Sequence, residues 1–449
     1  MNVNYAIIVK EVFMLEDTIV ALATPPGKAG VAIVRLSGNK SHDILKAITH
    51  SNSDFLPRYM YLKDIFMQDI KDDALTVYFK APNSYTGEDV AEIQCHGGYF
   101  IAQQVIDECL SFGARMAEPG EYSKRAFLNG KISVDQAEGI IDIINAESEA
   151  QAKAGSALAQ GKLFEIISNI QTELTDILAE IEAKLDYPEY EYTDNENELL
   201  LDRLKGVENQ LQELLDTKIS GMMIKNGVKI AIVGAPNAGK SSLLNALTNT
   251  DKSIVTDIAG TTRDIVEAEY IFNGIVFRLF DTAGIRESED IVEKIGIDRA
   301  KQSVKDADLV LKLIDISNPQ EIEIDDKPVI TVYNKIDLST QSTPPSENLI
   351  YISAKDGTNI QTLKQMIFDK TMVQGYNTSQ FYLSNTRHIE CVNNAKISLT
   401  NAIETFTSTT LDFVVADIHA CWQYLGEVSG VNSNERIIDR IFEKFCLGK

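Results

Sequence analysis

The stretch VKIAIVGAPNAGKSSLLN, residues 228–245, decides the architecture of the middle of the chain. An apolar, β-favouring run enters Gly234-Ala-Pro-Asn-Ala-Gly239-Lys240-Ser241, and the helix-forming run SSLLNALTN leaves it. Strand, then G-x-x-x-x-G-K-[ST], then helix is the order that a phosphate-binding loop needs. Glycines let the backbone N–H groups turn inward around phosphates, and the helix N-terminus adds a favourable dipole. Lys240 then reaches the outer phosphates and the Ser241 hydroxyl ligates Mg²⁺, with Asn237, Ala238, Gly239 and Ser242 lining the loop. The near-match GSALAQGK at Gly155–Lys162 has the wrong spacing, no Ser or Thr, and no preceding strand, so it is set aside.

Downstream, strand-like runs (IVFRLFDTAG, DLVLKLID, PVITVYNKID, NLIYISAK) alternate with helical ones, the pattern of a parallel sheet wrapped by helices. Asp281-Thr-Ala-Gly284 ends one strand, where the carboxylate approaches Mg²⁺ and the Gly284 N–H meets the γ-phosphate. Thr262, in the polar loop GTTRD, completes the metal shell. Asn334-Lys335-Ile-Asp337 and Ser353-Ala354-Lys355 cap two further strands. Asp337 chooses the base. Its carboxylate accepts paired hydrogen bonds from N1–H and the amino group of guanine, whereas adenine's N1 would leave a desolvated charge unpaired. Residues 225–377 are therefore predicted to form a Ras-like GTP-binding module. Ras-like enzymes orient water with a glutamine just after the DTAG-type motif; here that position is Ile285, so another group must act.

On either side the pattern changes. Residues 1–130 mix short β-rich runs with turn clusters and one helical stretch near FIAQQVIDECLSFG, which predicts an α+β domain. From 131 to 224 the period is helical: Leu163, Ile166, Ile167, Ile170, Leu174, Ile177, Leu178, Ile181 and Leu185 make one apolar stripe. Nine carboxylates against one lysine between Glu180 and Asp202 read as a solvated acidic loop between two helices. Residues 378–449 are helical again, so the α/β module is predicted to be inserted in a helical domain.

The bulk properties bound what such a protein can do. Its 449 residues exceed a single core. A net charge of −24 gives no overall affinity for nucleic acid, so any RNA needs a local basic patch or a basic partner. Five dispersed cysteines without a C-x-x-C pair argue for a reducing, cytoplasmic setting rather than disulfides or zinc. No apolar run is long enough to span a membrane. The N-terminal segment lacks the features of a signal peptide, and residues before Met14 read as an upstream-start extension.

GAPNAGKSSLLN, TDIAGTTRD, DTAGIRESEDIVEKIGI and the terminal CLGK resemble the MnmE (TrmE) tRNA-modification GTPases. So do TPPGKAGVAIVRLSG, NSYTGEDVAEIQCHGG and PGEYSKRAFLNGKISVDQAE in the first domain, and together the blocks cover nearly the whole chain. The resemblance implies that K⁺ replaces an arginine finger, held by the Asn237 side chain and the backbone of a loop including Thr256 and Ile258, with Thr261 beside it. It implies that Glu293 orients the attacking water and that Arg286 is a switch arginine; from the residues alone both read as a solvated switch helix. The first domain is implied to dimerise and to bind a tetrahydrofolate derivative, 5-formyl or 5,10-methylene, through Arg35, Glu92 and Lys131. From the residues alone, Arg35 and Lys131 read as surface charges.

The resemblance implies that Cys446 of the terminal CLGK lies near that ligand, in either a direct chemical or a positional role, and that Lys449 contacts it with its side chain or terminal carboxylate. The tail is not a prenylation box, because lysine is last and no aliphatic pair precedes it. The family works as a homodimer with an FAD- and NADH-using partner, MnmG (GidA), in a heterotetramer. Together they build an aminomethyl-type substituent at C5 of the wobble uridine of tRNA. A rival reading is a GTPase switch in ribosome assembly, and a third is a stand-alone folate-dependent transferase.

Overall fold

The computed structural model describes residues 17–68, 70–186, 194–248, 268–281, 304–320, 323–324, 327–338, 346–372, 381–406, 411–431, 435–445 and 448. The chain forms two compact units: Met1–Ile141 with Leu158–Ser168 and Leu425–Lys449, and Asp142–Ala157 with Asn169–Tyr424.

The first unit is built on six strands, β1 (Ile19–Leu22), β2 (Val31–Ser37), β3 (Met60–Met67), β4 (Ile70–Phe79), β5 (Val90–His96) and β6 (Arg115–Met116), in the order β3-β4-β5-β2-β1-β6. Pairings are antiparallel except β1 with β6. Alternation sets the two faces. Ala32, Val34 and Leu36 of β2 are buried with Ile44, Leu45 and Ile48 of α1 (Ser41–Ile48) and Val105 and Ile106 of α2 (Tyr99–Ser111). Only the second of these helices was expected; α1 and α3 (Glu121–Leu128) are additions, each only about two turns long and so without a sustained helical period in the sequence.

The opposite face carries the row Ala21, Arg35, Glu92, Val77, Met60 across five strands. Part of this face is uncovered, with Leu62 71%, Val31 51% and Met60 48% exposed. The chain's last helix, α13 (Glu435–Phe442), packs Ile441 and Phe442, followed by Phe445, against Val134 and Ala137. A Cβ at Gly120 would lie 2.1 Å from the Phe442 carbonyl oxygen, so only glycine admits this approach.

Beneath the sheet edge, Arg125 is 1% exposed and sits among carboxylates. It donates from Nη2 to Asp17 (2.8 Å) and Glu121 (2.9 Å), and from Nη1 to Glu88 (3.1 Å). Arg115 meets Glu121 from the other side, Nη2 to Oε1 at 2.6 Å. Burial would raise the Asp17 and Glu121 carboxyls, but the two arginines hold both below the ordinary range.

The second unit contains the inserted sheet: β7 (Val228–Gly234), β8 (Ala268–Phe272), β9 (Ile275–Asp281), β10 (Leu309–Asp315), β11 (Val329–Asn334) and β12 (Leu349–Tyr351). The order is β12-β11-β10-β7-β9-β8. It is parallel as expected, except that the edge strand β8 runs antiparallel to β9. Helices α9 (Lys240–Thr248) and α10 (Ile360–Thr371) bury Leu243, Leu247, Leu363 and Ile367 on it.

Helices α6 (Lys162–Asp186), α7 (Asp194–Asp216), α11 (Thr386–Phe406) and α12 (Leu411–Ser429) surround the module in sequence. The predicted stripe on α6 is buried apart from Ile166, which is partly covered, and Leu185, which is exposed. From Asp194 onward the acidic run belongs to α7 rather than to a loop. The bundle is cross-tied by Gln171 to the Trp422 carbonyl (3.0 Å), Arg203 to Glu173 (2.6 Å) and Thr400 to Glu208 (2.6 Å). Entry to and exit from the module lie side by side. The Leu383 N–H donates to Thr217 Oγ1 at 2.9 Å, and Gly221 of α8 (Lys218–Asn226) packs on the Leu383 carbonyl.

An unexpected feature completes this unit. Helix α4 (Val134–Ile144) leads into α5 (Glu149–Ala159), whose Ala150 and Ala154 pack in the hydrophobic core of the inserted module. Lys225, just before β7, pairs with Asp142 (2.8 Å), and its carbonyl accepts from Gln151 (3.1 Å). Arg278 of β9 bridges Glu147 (2.6 Å) and Glu269 (3.0 Å). Burial pushes the Glu269 carboxyl up, Glu147 adding to the effect and Arg278 opposing it. The Arg278 and Glu147 side chains are 24% and 42% exposed, so solvent screens the pair. A double-mutant cycle of Arg278→Met and Glu147→Gln in urea unfolding is expected to give a coupling of about 1 kcal/mol. Full additivity would show that the ion pair carries nothing and that the alanine packing holds the module.

Candidate functional site

The parallel strands of the second unit end at one edge, where ligands of open α/β sheets bind. In register, Gly234 stands opposite Leu313 and Asp315 opposite Asn334, while Asp281 is level with Ile232. The loop after β7 takes left-handed backbone at Asn237 (φ 64°) and Gly239 (φ 99°) before α9 begins at Lys240. The Lys240 Nζ donates to the Gly234 carbonyl at 3.1 Å, folding the ammonium over the loop. Asn237, Ser241 and Ser242 are exposed on the loop and the first turn of α9.

Asn334 is the staple of the site. It is 2% exposed, its Nδ2 donates to the Ala238 carbonyl (2.9 Å), and its Oδ1 accepts from the Ala354 N–H (3.0 Å). One amide thereby fixes the phosphate loop and the Ser353-Ala354-Lys355 loop in a single frame. Gly239 is required by this contact: a Cβ there would lie 2.3 Å from Asn334 Nδ2. Asp337 Oδ1 accepts from Ser353 Oγ (2.8 Å), which in turn accepts from the Asp356 N–H (3.2 Å). The base-reading carboxylate is thus oriented in advance, and among the described residues no hydrogen bond ties its second oxygen, which leaves it open to a guanine edge. Lys335, at φ 70°, extends its ammonium to Asp315 Oδ2 at 2.6 Å. Lys355 is exposed beside the buried Ala354. Thr256, Ile258, Thr261, Thr262, Gly284, Arg286 and Glu293, and the side chain of Asp281, lie outside the described residues.

In the first unit, cross-strand register makes Arg35 and Glu92 direct neighbours, with Arg35 Nε donating to Glu92 Oε1 at 2.8 Å. The Arg35 guanidinium lies 5.8 Å from the Tyr122 ring and 6.0 Å from the Tyr85 ring. The Tyr122 hydroxyl donates to the Arg35 carbonyl (2.6 Å), and the Tyr85 and Ser123 hydroxyls bond at 2.8 Å. Burial pushes both phenols up, so they stay neutral. Arg35 Nη1 also donates to the carbonyl of Gly448, which lies so close to β1 that a Cβ would be 2.4 Å from the Leu22 oxygen.

Lys131 does not touch Arg35 or Glu92. Its Nζ donates to the Pro82 carbonyl at 3.1 Å and its stem packs on Gly87, flanking the loop that supplies Tyr85. Cys446 and Lys449 lie outside the described residues. Tyr85 and Tyr122 were missed by sequence reasoning, although both stand in quoted blocks, NSYTGED and PGEYSKRAF. His96-Gly97-Gly98 is a tight turn into α2, with Gly97 against the Ala29 carbonyl. Burial raises the Cys95 thiol to about 11 and the Cys421 thiol to about 12, which keeps both unreactive. Among the described residues no group of three or more His, Cys, Asp or Glu could hold a metal, and no helix is long and apolar enough to cross a membrane.

Comparison with known proteins places the chain in one family. Residues 18–131 match the family described as GTP-binding protein TrmE N-terminus, and residues 134–446 match the MnmE helical domain. The chain belongs to the MnmE family. A tRNA modification GTPase MnmE of Enterococcus faecalis is 37% identical, over 96% of this chain and 98% of that protein. The MnmE of Alkaliphilus oremlandii is 39% identical, over 97% of this chain and all of its own length (100%).

Among solved structures, Aquifex aeolicus Era bound to GDP and aluminium fluoride is 30% identical over 38% of this MnmE-family chain and 65% of that chain, with a TM-score of 0.25. The G domain of the Thermotoga maritima FeoB iron transporter is 28% identical over 32% of this chain and 98% of that one, with a TM-score of 0.24. In MnmE terms, Arg35 and Glu92 fall in the N-terminal match, and the Asn334 staple falls within the span of the helical-domain match.

Proposed function

We propose that this MnmE-family GTPase of tRNA modification is stimulated by potassium and works with an FAD-dependent MnmG-type partner on the wobble uridine. The single observation that carries the GTP reading is Asn334 joining the phosphate loop to the Ser353-Ala354 loop beside a preset Asp337. Together they define a pocket with a phosphate end and a guanine-reading end.

For the metals, the residue chemistry fits. The Ser241 hydroxyl at the helix start suits Mg²⁺, with Thr262 as the second protein ligand. The exposed Asn237 amide suits a K⁺ ion, joined by the backbone of Thr256 and Ile258 and by Thr261. A monovalent cation held there would supply the charge compensation that a guanidinium supplies in other such enzymes. Glu293 orients the water and Arg286 assists, assignments that rest on the family resemblance. The expected result is strong stimulation of GTP turnover in potassium buffer over matched sodium buffer, lost in Asn237→Ala. Equal, slow turnover in both salts would overturn the cation mechanism and favour the assembly-switch reading.

For folate, a carboxylate beside a guanidinium, walled by two neutral tyrosines, fits the aminopyrimidinone edge of a pterin. When bound, the folate supplies a one-carbon unit. Glu92 and Arg35 would orient the head, Lys131 the attached anionic groups, and Lys449 would close the site with Cys446 nearby. The uncovered apolar half of the sheet face, at Val31, Met60 and Leu62, supports a homodimer through the first unit. A net charge of −24 supports a basic partner as the holder of tRNA, in a cytoplasmic heterotetramer.

A further inference from the structure

We propose that Asp315 is a positioning residue of the guanine pocket, acting on the purine face through Lys335. Three observations converge on it. Asp315 is the last residue of β10 and is paired in register with Asn334, so it stands beside the strand end that supplies the base-reading residues. Its carboxylate is fixed on both oxygens: Oδ1 accepts from the Ser317 N–H (2.9 Å) and Ser317 Oγ (2.6 Å), and Oδ2 accepts from Lys335 Nζ (2.6 Å). Lys335 holds a left-handed backbone at φ 70°, which a lysine adopts only where its surroundings demand it.

The sheet order explains what this achieves. β10 lies between β11, which leads to Asp337, and β7, which leads to the phosphate loop. A nucleotide whose phosphates meet the loop after β7 and whose base meets Asp337 must lay its purine across the end of β10. With its ammonium tied to Asp315, the Lys335 stem runs from β11 toward β10 along that same path. The apolar methylenes then form a fixed wall for the purine face, and Ser317 keeps the tether from swinging. Burial would raise the Asp315 carboxyl, but Lys335 and Ser317 outweigh it and hold the group ionised. Asp315 touches neither the phosphates nor the guanine edge in this arrangement, so its contribution belongs to affinity and not to base choice.

The inference rests on the guanine-nucleotide reading of the site, which GDP binding by the wild-type chain tests by itself. The experiment uses the full-length protein and titrates fluorescent GDP and IDP, IDP lacking the amino group that Asp337 reads. For Asp315→Asn the expected loss of affinity is about tenfold, equal for GDP and IDP, with KM raised and kcat at saturating GTP changed less than twofold. Ser317→Ala should give a smaller loss of the same kind, which keeps the test alive if Asp315→Asn folds poorly. In Lys335→Met, the further change Asp315→Asn should add little. Full additivity, a changed GDP-to-IDP ratio, a loss confined to kcat, or unchanged affinity in both single variants would each overturn the assignment.

Discussion

Gly239→Ala is expected to lose GDP affinity by about 100-fold or more in a fluorescence titration of the full-length chain. Two costs combine. The backbone at Gly239 is left-handed, φ 99°, which costs an L-residue about 1–2 kcal/mol. The added Cβ would also lie 2.3 Å from Asn334 Nδ2, a contact that requires the Asn334 side chain or the loop to move. Either movement breaks the bond from Asn334 to the Ala238 carbonyl and leaves a buried amide unpaired, at about 1–3 kcal/mol. The sum is about 3 kcal/mol, enough for the stated loss. Asn334→Ala should weaken binding in the same direction without the backbone strain. If Gly239→Ala bound GDP within threefold of wild type, the staple would not be what assembles the site.

Arg125→Met should lower the unfolding temperature of the first unit at neutral pH by about 10 °C or more, corresponding to about 3–5 kcal/mol. Replacing a whole buried charge cluster by apolar residues can be neutral, but removing only the buried one of its two arginines leaves Glu121 and Glu88 with less charge compensation inside the fold. Acid provides the discriminating measurement. In the native chain the Asp17 and Glu121 carboxyls are held below their unfolded values, so their stabilising contribution is present above about pH 4 and fades as pH falls through the folded values. In the variant the same carboxyls lose an arginine and rise, so protonation becomes easier. The gap between variant and native melting temperatures should therefore hold from pH 7 to about pH 4 and narrow as pH falls below about 4, through the depressed folded values. A gap that stays constant through that fall would mean that Arg125 acts through packing alone.

The two sites were legible in the sequence to different degrees, for physical reasons. The phosphate loop is a local structure: its strand, glycines and helix start are contiguous, so residues 228–245 announce it. The Asn334 staple is distant in sequence, |i−j| = 96 from Ala238, yet both partners sit in motifs whose shared role was readable. The Arg35–Glu92 pair is different. It exists because β2 and β5 pair in one particular register, and a slip of one residue would turn the two side chains to opposite faces. Charges at those positions gave no sign of this, so only the family resemblance raised them above the surface. Tyr85 and Tyr122 wall the site from a loop and from near the start of α3, which no periodicity marks. Helix α1 had a readable signal in Ile44, Leu45 and Ile48, but it was too short to stand out. The role of Ala150 and Ala154 had none, because alanine on a helix is compatible with any environment.

Those two alanines have a consequence for anyone who would treat the GTP module as a portable cassette. Its core is finished by a helix from far upstream, and the ties to that helix span 74, 83 and 131 residues of sequence. Cutting the gene at the module's visible ends would remove one wall of the building along with the corridor. The exposed underside, around Met223, Ile224 and Gly274, would then meet water it was not composed to meet. A transplantable version needs α5 grafted back, or its footprint repainted with polar residues.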